Sequence, residues 1–146
     1  MQKLVLLDTT VFIHAFGNDR SARDAATRIL SAVAERKLQA VVSIETVQEV
    51  LFVRSRKTGD HVSAVNVARD LANSYPVLGA VDADLPLVFE LATRNPSLGG
   101  RDALILASAI NAGISTVVSS DRAFAGVTRI ECIDPSDAGA VRALIG

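Results

Sequence analysis

A chain of 146 residues with 49% hydrophobic content can bury a real core but is too short for more than one ordinary domain, so residues 1–146 are expected to form a single domain. Its 15 Lys and Arg are balanced by 16 Asp and Glu, a formal charge of -1 that excludes indiscriminate nucleic-acid binding through an overall basic field; any such contact has to be local. The first apolar run is cut by Asp8 and no run approaches the ~18 apolar residues of a membrane span, which points to a soluble cytoplasmic protein with no membrane partner. In chain order, a strand is expected at 3–7, followed by the short helical turn "TTVFIHAF" and a helix in "SARDAATRILSAVAER". A strand near 39–42 leads into "SIETVQEVLFVRSRK" and "DHVSAVNVARDLANSY", helices opened by Ser43 and Asp60. A third strand near 77–81 precedes helices in "DADLPLVFELATRN" and in "GRDALILASAINAG", the latter closed by Gly113. Strands near 115–119 and 129–133 complete the pattern, and the lone Cys132 in the last of them reads as a small core residue. Strands and helices alternate, so the fold class is α/β, with a mostly parallel central sheet of about five strands flanked by helices.

The chemistry concentrates in acids placed at strand ends. Ligands of open parallel sheets bind beyond the carboxyl ends of the strands, and both Asp8 and Asp121 occupy the C-terminal edges of predicted strands. If strands 3–7 and 115–119 are neighbours, the two carboxylates share one crevice and repel each other unless a cation lies between them. Taken singly, each also reads as a cap, Asp8 for the turn after it and Asp121 for "SDRAF". Asp102 stands in the first turn of an apolar helix, where a favourable dipole interaction of ~0.3–1 kcal/mol would account for it without any function. Glu49 is different. With Ser43 as cap it falls in the second turn, beyond the dipole's reach and among Val47, Val50 and Leu51, whereas Glu45 is an ordinary first-turn acid that serves helix stability. Carboxylates are ligands for hard cations such as Mg²⁺ and Mn²⁺, and no Cys or His cluster favours zinc or copper. His14 is expected to pack or hydrogen-bond within its short helix and His61 to be solvated; neither enters the predicted site.

Four blocks, "LLDTTVFIHAF", "SIETVQEV" with its Ser43, Thr46 and Glu49 spacing, "GGRDALILASAINAGISTVVSSDRAF" and the closing "IDP", resemble the PIN-domain nucleases and, among them, the VapC-type toxins of bacterial toxin–antitoxin pairs. Thr10 stands where many members have Asn or Ser, and Ser119 and Ser120 replace the more usual Thr and Asn before the last Asp. The resemblance implies a PIN-like, three-layer α/β/α fold and an endoribonuclease that hydrolyses phosphodiester bonds of single-stranded or loop RNA. It implies that Asp8, Glu49, Asp102 and Asp121 hold Mg²⁺ or Mn²⁺ and carry catalysis, Asp8 and Asp121 as principal anchors. In that setting Thr9 and Ser119 are expected to steady the carboxylates through hydrogen bonds. Arg101 and Arg122 either grip RNA phosphates or pair with the neighbouring Asp. The partners implied are a small VapB-type antitoxin and a second copy of the chain, and the segments 41–57 and 64–72 carry more apolar positions than one buried helix face needs. The alternatives are a non-catalytic PIN-like module that binds RNA or protein, or a PIN nuclease of RNA processing. A phosphotransfer receiver or an aspartate-nucleophile phosphatase would need further acids beside Asp8, where "DTT" stands.

Overall fold

Five strands form the sheet: β1 (Leu4–Leu7), β2 (Gln39–Ser43), β3 (Val77–Leu78), β4 (Thr116–Val118) and β5 (Glu131–Ile133). In the computed structural model, which describes residues 2–146, they run all parallel in the order β3-β2-β1-β4-β5. The helices among the described residues are α1 (Thr9–Ala15), α2 (Arg20–Ala34), α3 (Ile44–Thr58), α4 (His61–Ser74), α5 (Leu85–Arg94), α6 (Gly100–Asn111) and α7 (Ala138–Ile145). None of them is long and apolar enough to cross a membrane.

The sheet is buried on both faces, and the two-residue period of a strand sorts its side chains between them. Val5 and Leu7 of β1 and Val118 of β4 join Phe12, Ile29, Val50 and Leu71 on one face. Leu6 and Val117 join Leu91, Ile105, Leu106 and Phe124 on the other. Helices α1, α2, α3, α4 and α7 supply the first layer and α5 and α6 the second, which makes the three-layer α/β/α arrangement. Three helix starts are capped as their sequences suggested: Asp8 accepts from the Thr10 N–H, Ser43 from the Thr46 N–H and Asp60 from the Ser63 N–H. Gly113 follows the end of α6 at φ 82, a left-handed turn that an L side chain adopts only under strain.

Three expectations need correction. The strand expected at 77–81 is only Val77–Leu78, because buried Asp84 accepts the Val81 N–H at 2.9 Å and draws the chain into a 3₁₀ turn, Asp82–Asp84, ahead of α5. A C-terminal helix, α7, was not anticipated; Asp137 caps it and Val141 anchors it in the core. Cys132 is half-buried on the edge strand β5 rather than sealed in the core. Burial, then the charges of Asp134, Asp8 and Asp121, push its thiol up to about 11, so it stays a neutral thiol.

What matters for the site is the register at the sheet's centre. Leu6 lies opposite Val117 and Leu7 opposite Val118, so Asp8 and Ser119 are the next residues of two adjacent, co-directional strands. The chain fills one side of β1 with β2 and β3, then returns to fill the other with β4 and β5. That reversal opens the crevice at which sheets of this kind bind ligands.

Candidate active site

The ladder continues into the site itself. The Asp8 N–H donates to the Val118 carbonyl at 3.0 Å, and the Ser119 N–H donates to that of Ile133 at 2.9 Å. Two hydroxyls then fix the buried Asp8 carboxylate: Ser119 Oγ donates to Asp8 Oδ2 at 2.7 Å and Thr10 Oγ1 to the same oxygen at 3.0 Å. Ser119 Oγ also accepts from the Asp121 N–H at 3.0 Å, and Asp121 Oδ1 accepts from the Ala123 N–H at 2.9 Å. Asp8 caps α1 and Asp121 caps the 3₁₀ turn Arg122–Phe124, each through one oxygen, and these bonds leave the second oxygen of each carboxylate unused.

Glu49 arrives from across the sheet on α3. Thr46, one turn before it, is held by a buried chain of hydroxyls: Ser43 Oγ donates to Thr46 Oγ1 at 3.1 Å, and Thr9 Oγ1 donates to it at 3.0 Å. α3 is thereby tied to α1 at the level where Glu49 points to the cleft. Asp102 occupies the first turn of α6, which begins after Gly99 without a side-chain cap.

Asp8, Glu49, Asp102 and Asp121 together line one open cleft of about 580 Å³. Their proximity shows in the titration of Asp102, whose carboxyl is pushed up to about 6, first by partial burial and then by the charges of Asp8, Asp121 and Glu49, with Arg101 opposing. Among the described residues no three Asp, Glu, His or Cys side chains are arranged as a ready-made metal cage; the four acids stand around the cleft without closing on one point.

The other predicted residues separate. Ser119 contacts Asp8 directly, whereas Thr9 lines the cleft with its hydroxyl turned to Thr46, and Thr10 is the residue that holds the carboxylate. Arg101 lines the cleft and stands 4.0 Å from Glu49 rather than pairing with Asp102. Arg122 is exposed on its turn and is not part of the cleft lining. His14, set aside from sequence, does line it; its Nε2 is 3.0 Å from Ser120 Oγ. The available signal was helical spacing, since Thr10 and His14 are four residues apart on one face of α1.

Residues 5–130 match the PIN domain family. Over 143 residues the chain is 31% identical to Ribonuclease VapC7 of Mycobacterium tuberculosis, which covers 97% of this chain and 98% of that protein. It is also 31% identical over 128 residues to Ribonuclease VapC23 of the same species, covering 86% of this chain and 99% of that one. The chain belongs to the PIN-domain family and, within it, to the VapC ribonucleases. Its fold is similar to that of VapBC-1 from nontypeable Haemophilus influenzae, with a TM-score of 0.70 at 16% identity over 92% of this chain and 99% of that chain.

Proposed function

We propose that residues 1–146 act as a single PIN domain in the cytoplasm, a metal-dependent endoribonuclease that hydrolyses single-stranded or loop RNA and serves as the toxin of a VapBC-type pair. The observation that carries this reading is the convergence of Asp8, Glu49, Asp102 and Asp121 on one cleft in a chain 31% identical to Ribonuclease VapC7. The donor set fits Mg²⁺ or Mn²⁺, since all four are hard carboxylate ligands; burial first, and then repulsion from Asp8, Asp121 and Glu49, lifts Asp102 to about 6, and a cation relieves the repulsive part. When bound, such an ion supplies acidification of the attacking water and neutralises charge growing on the phosphoryl oxygens.

The chain's own residues do the rest. Ser119 and Thr10 hold Asp8, and the Ala123 N–H holds Asp121, so the two anchors keep a fixed orientation. Glu49, positioned through Thr46, orients the attacking water. Arg101 and the uncapped first N–H groups of α6 receive the phosphate of the bond to be cut. Beyond the cleft, Ile44 and Phe52 of α3 and Leu85 and Phe89 of α5 are exposed apolar side chains suited to the antitoxin or to a second copy of the chain. The α3 pair lies where excess apolar residues were expected; in 64–72 the core-facing residues absorb that excess, and α5 takes its place.

The test is a fluorogenic single-stranded RNA incubated with the purified chain. Cleavage with Mn²⁺ or Mg²⁺, none in chelator, and none by Asp8→Asn or Asp121→Asn is the expected outcome. Cleavage that continues unchanged in chelator would sink the mechanism.

A further inference from the structure

The acidic cleft continues past His14. His14 and Ser120, joined at 3.0 Å, also form one wall of an adjoining cavity of about 190 Å³. The wall is stiff, because Thr10 Oγ1 accepts the Ser120 N–H at 3.2 Å while holding Asp8. The floor is three alanines of α2, Ala22, Ala25 and Ala26, and Pro135 closes the far side. Asp134 supplies the polar edge: its Oδ1 accepts from the Ser136 N–H and from Ser136 Oγ, both at 2.9 Å, which fixes the carboxylate and leaves Oδ2 outside those bonds. A further hollow shares Ala25, Pro135 and Ser136 with this cavity and carries the exposed Asp24 and Arg28.

The lining selects its occupant. Three methyl groups and a proline ring make an apolar bed for a flat ring, and a volume below the ~300 Å³ of the smaller drug-sized pockets suits one ring system rather than a whole nucleotide. A phosphate is repelled by Asp134. A carboxylate acceptor at the rim favours a base that presents an exocyclic amine, as cytosine, adenine and guanine do, over uracil, whose carbonyl oxygens face the same charge.

We propose that this cavity is a base-binding subsite of the RNA cleft: the base beside the scissile phosphate, one with an exocyclic amine, lies on Ala22, Ala25 and Ala26 against Asp134. The inference rests on the ribonuclease reading above and adds to it the class of base that the site accepts.

It is tested by binding, apart from cleavage. Nucleoside 3′,5′-bisphosphates contain no diester to cut, and the cytidine, adenosine, guanosine and uridine forms are titrated with Mg²⁺ into the full chain while the alanine methyl resonances are followed. The amine-bearing nucleotides are expected to shift Ala22, Ala25 and Ala26 saturably, uridine bisphosphate to bind at least tenfold more weakly, and the abasic bisphosphate to leave them unmoved. Ala22→Leu, which fills the floor, should abolish the shifts of Ala25 and Ala26. Asp134→Asn, which keeps the turn to Ser136, should remove the discrimination against uridine. Unmoved alanine methyls with every base, or equal binding of the abasic form, overturn the subsite. Base-dependent shifts without any RNA cleavage in Mn²⁺ would overturn the ribonuclease reading and leave the cavity a nucleotide-base site outside any cleavage reaction; cleavage without the shifts overturns the subsite alone.

Discussion

Asp8 shows why capping and function are not alternatives for a single residue. Its Oδ2 takes up the Thr10 N–H, so the cap that the sequence suggested is real, yet the same carboxylate lines the acidic cleft. Asp102 reports the resulting charge crowding. Its folded pKa of about 6 lies above the 3.8 of a free Asp, so the folded state disfavours the ionised form. That penalty is absent below pH 3.8, grows through the window up to about 6, and is complete above it. Asp102→Asn should therefore raise stability at pH 7.5 by roughly 1 kcal/mol once solvent screening of a half-exposed group is allowed for, seen as a higher melting temperature, and change it little near pH 3.5. Melting curves at the two pH values check this, and the same variant should gain less stability from Mn²⁺ than the parent. Glu49 and Glu45 make the complementary comparison on one helix. Glu49→Gln should fold normally and lose most cleavage. Glu45→Gln should cut like the parent and change stability by less than about 1 kcal/mol, because the lost dipole interaction is offset by removing the charge from a carboxylate whose buried Oε2 has no partner. A dead Glu45 variant beside an active Glu49 variant would contradict the site.

Between elements, the decisive link is a set of three hydroxyls. Ser43 at the end of β2, Thr46 on α3 and Thr9 on α1 are all buried and bonded to one another, so the height and rotation of α3 over the sheet are set by polar geometry as well as by Val50 in the core. Thr46→Val keeps the shape and removes the shared acceptor, leaving the buried Thr9 hydroxyl without its partner and Ser43 Oγ with only the bond it accepts from the backbone N–H of residue 46. Urea denaturation should register a loss of about 1–3 kcal/mol, and cleavage should fall as Glu49 loses its placement. Stability lost with cleavage fully retained would mean that α3 is held by packing alone. The Arg101–Glu49 pair is the weaker link, with both side chains open to solvent at 4.0 Å, and Arg101→Ala should weaken RNA binding without altering the melt.

At the scale of the molecule, the open acidic cleft and the exposed apolar side chains on α3 and α5 are the surfaces that the proposed toxin reading assigns to RNA and to an antitoxin. Expression of the chain by itself should arrest bacterial growth, and co-expression with a small antitoxin encoded beside it should restore growth and yield a complex with little nuclease activity. The Asp8→Asn form should be harmless in either setting. Growth unaffected by a folded, metal-binding, RNA-cutting parent would place the enzyme in RNA processing instead of a toxin pair.

Much of this was legible along the chain because it rests on local physics. Continuous apolar runs mark β1 and β2, the 3.6-residue period marks α2, α3, α4 and α6, and short polar side chains mark the starts of α2, α3 and α4, since capping is decided within three residues. The dispersed Asp8, Glu49, Asp102 and Asp121 were readable as candidates for the same reason: each sits at a strand end or in an early helix turn. Tertiary structure alone decided the rest. That β1 lies beside β4, with Leu7 opposite Val118, is a pairing of residues more than a hundred positions apart, which no local period encodes. From that register follow the hold of Ser119 on Asp8, the choice of Thr10 over Thr9 as its partner, and the arrival of His14 at the cleft. Hydrogen bonds and charge repulsion act over a few ångströms of space whatever the distance along the chain, so only the folded sheet could settle which carboxylates crowd Asp102.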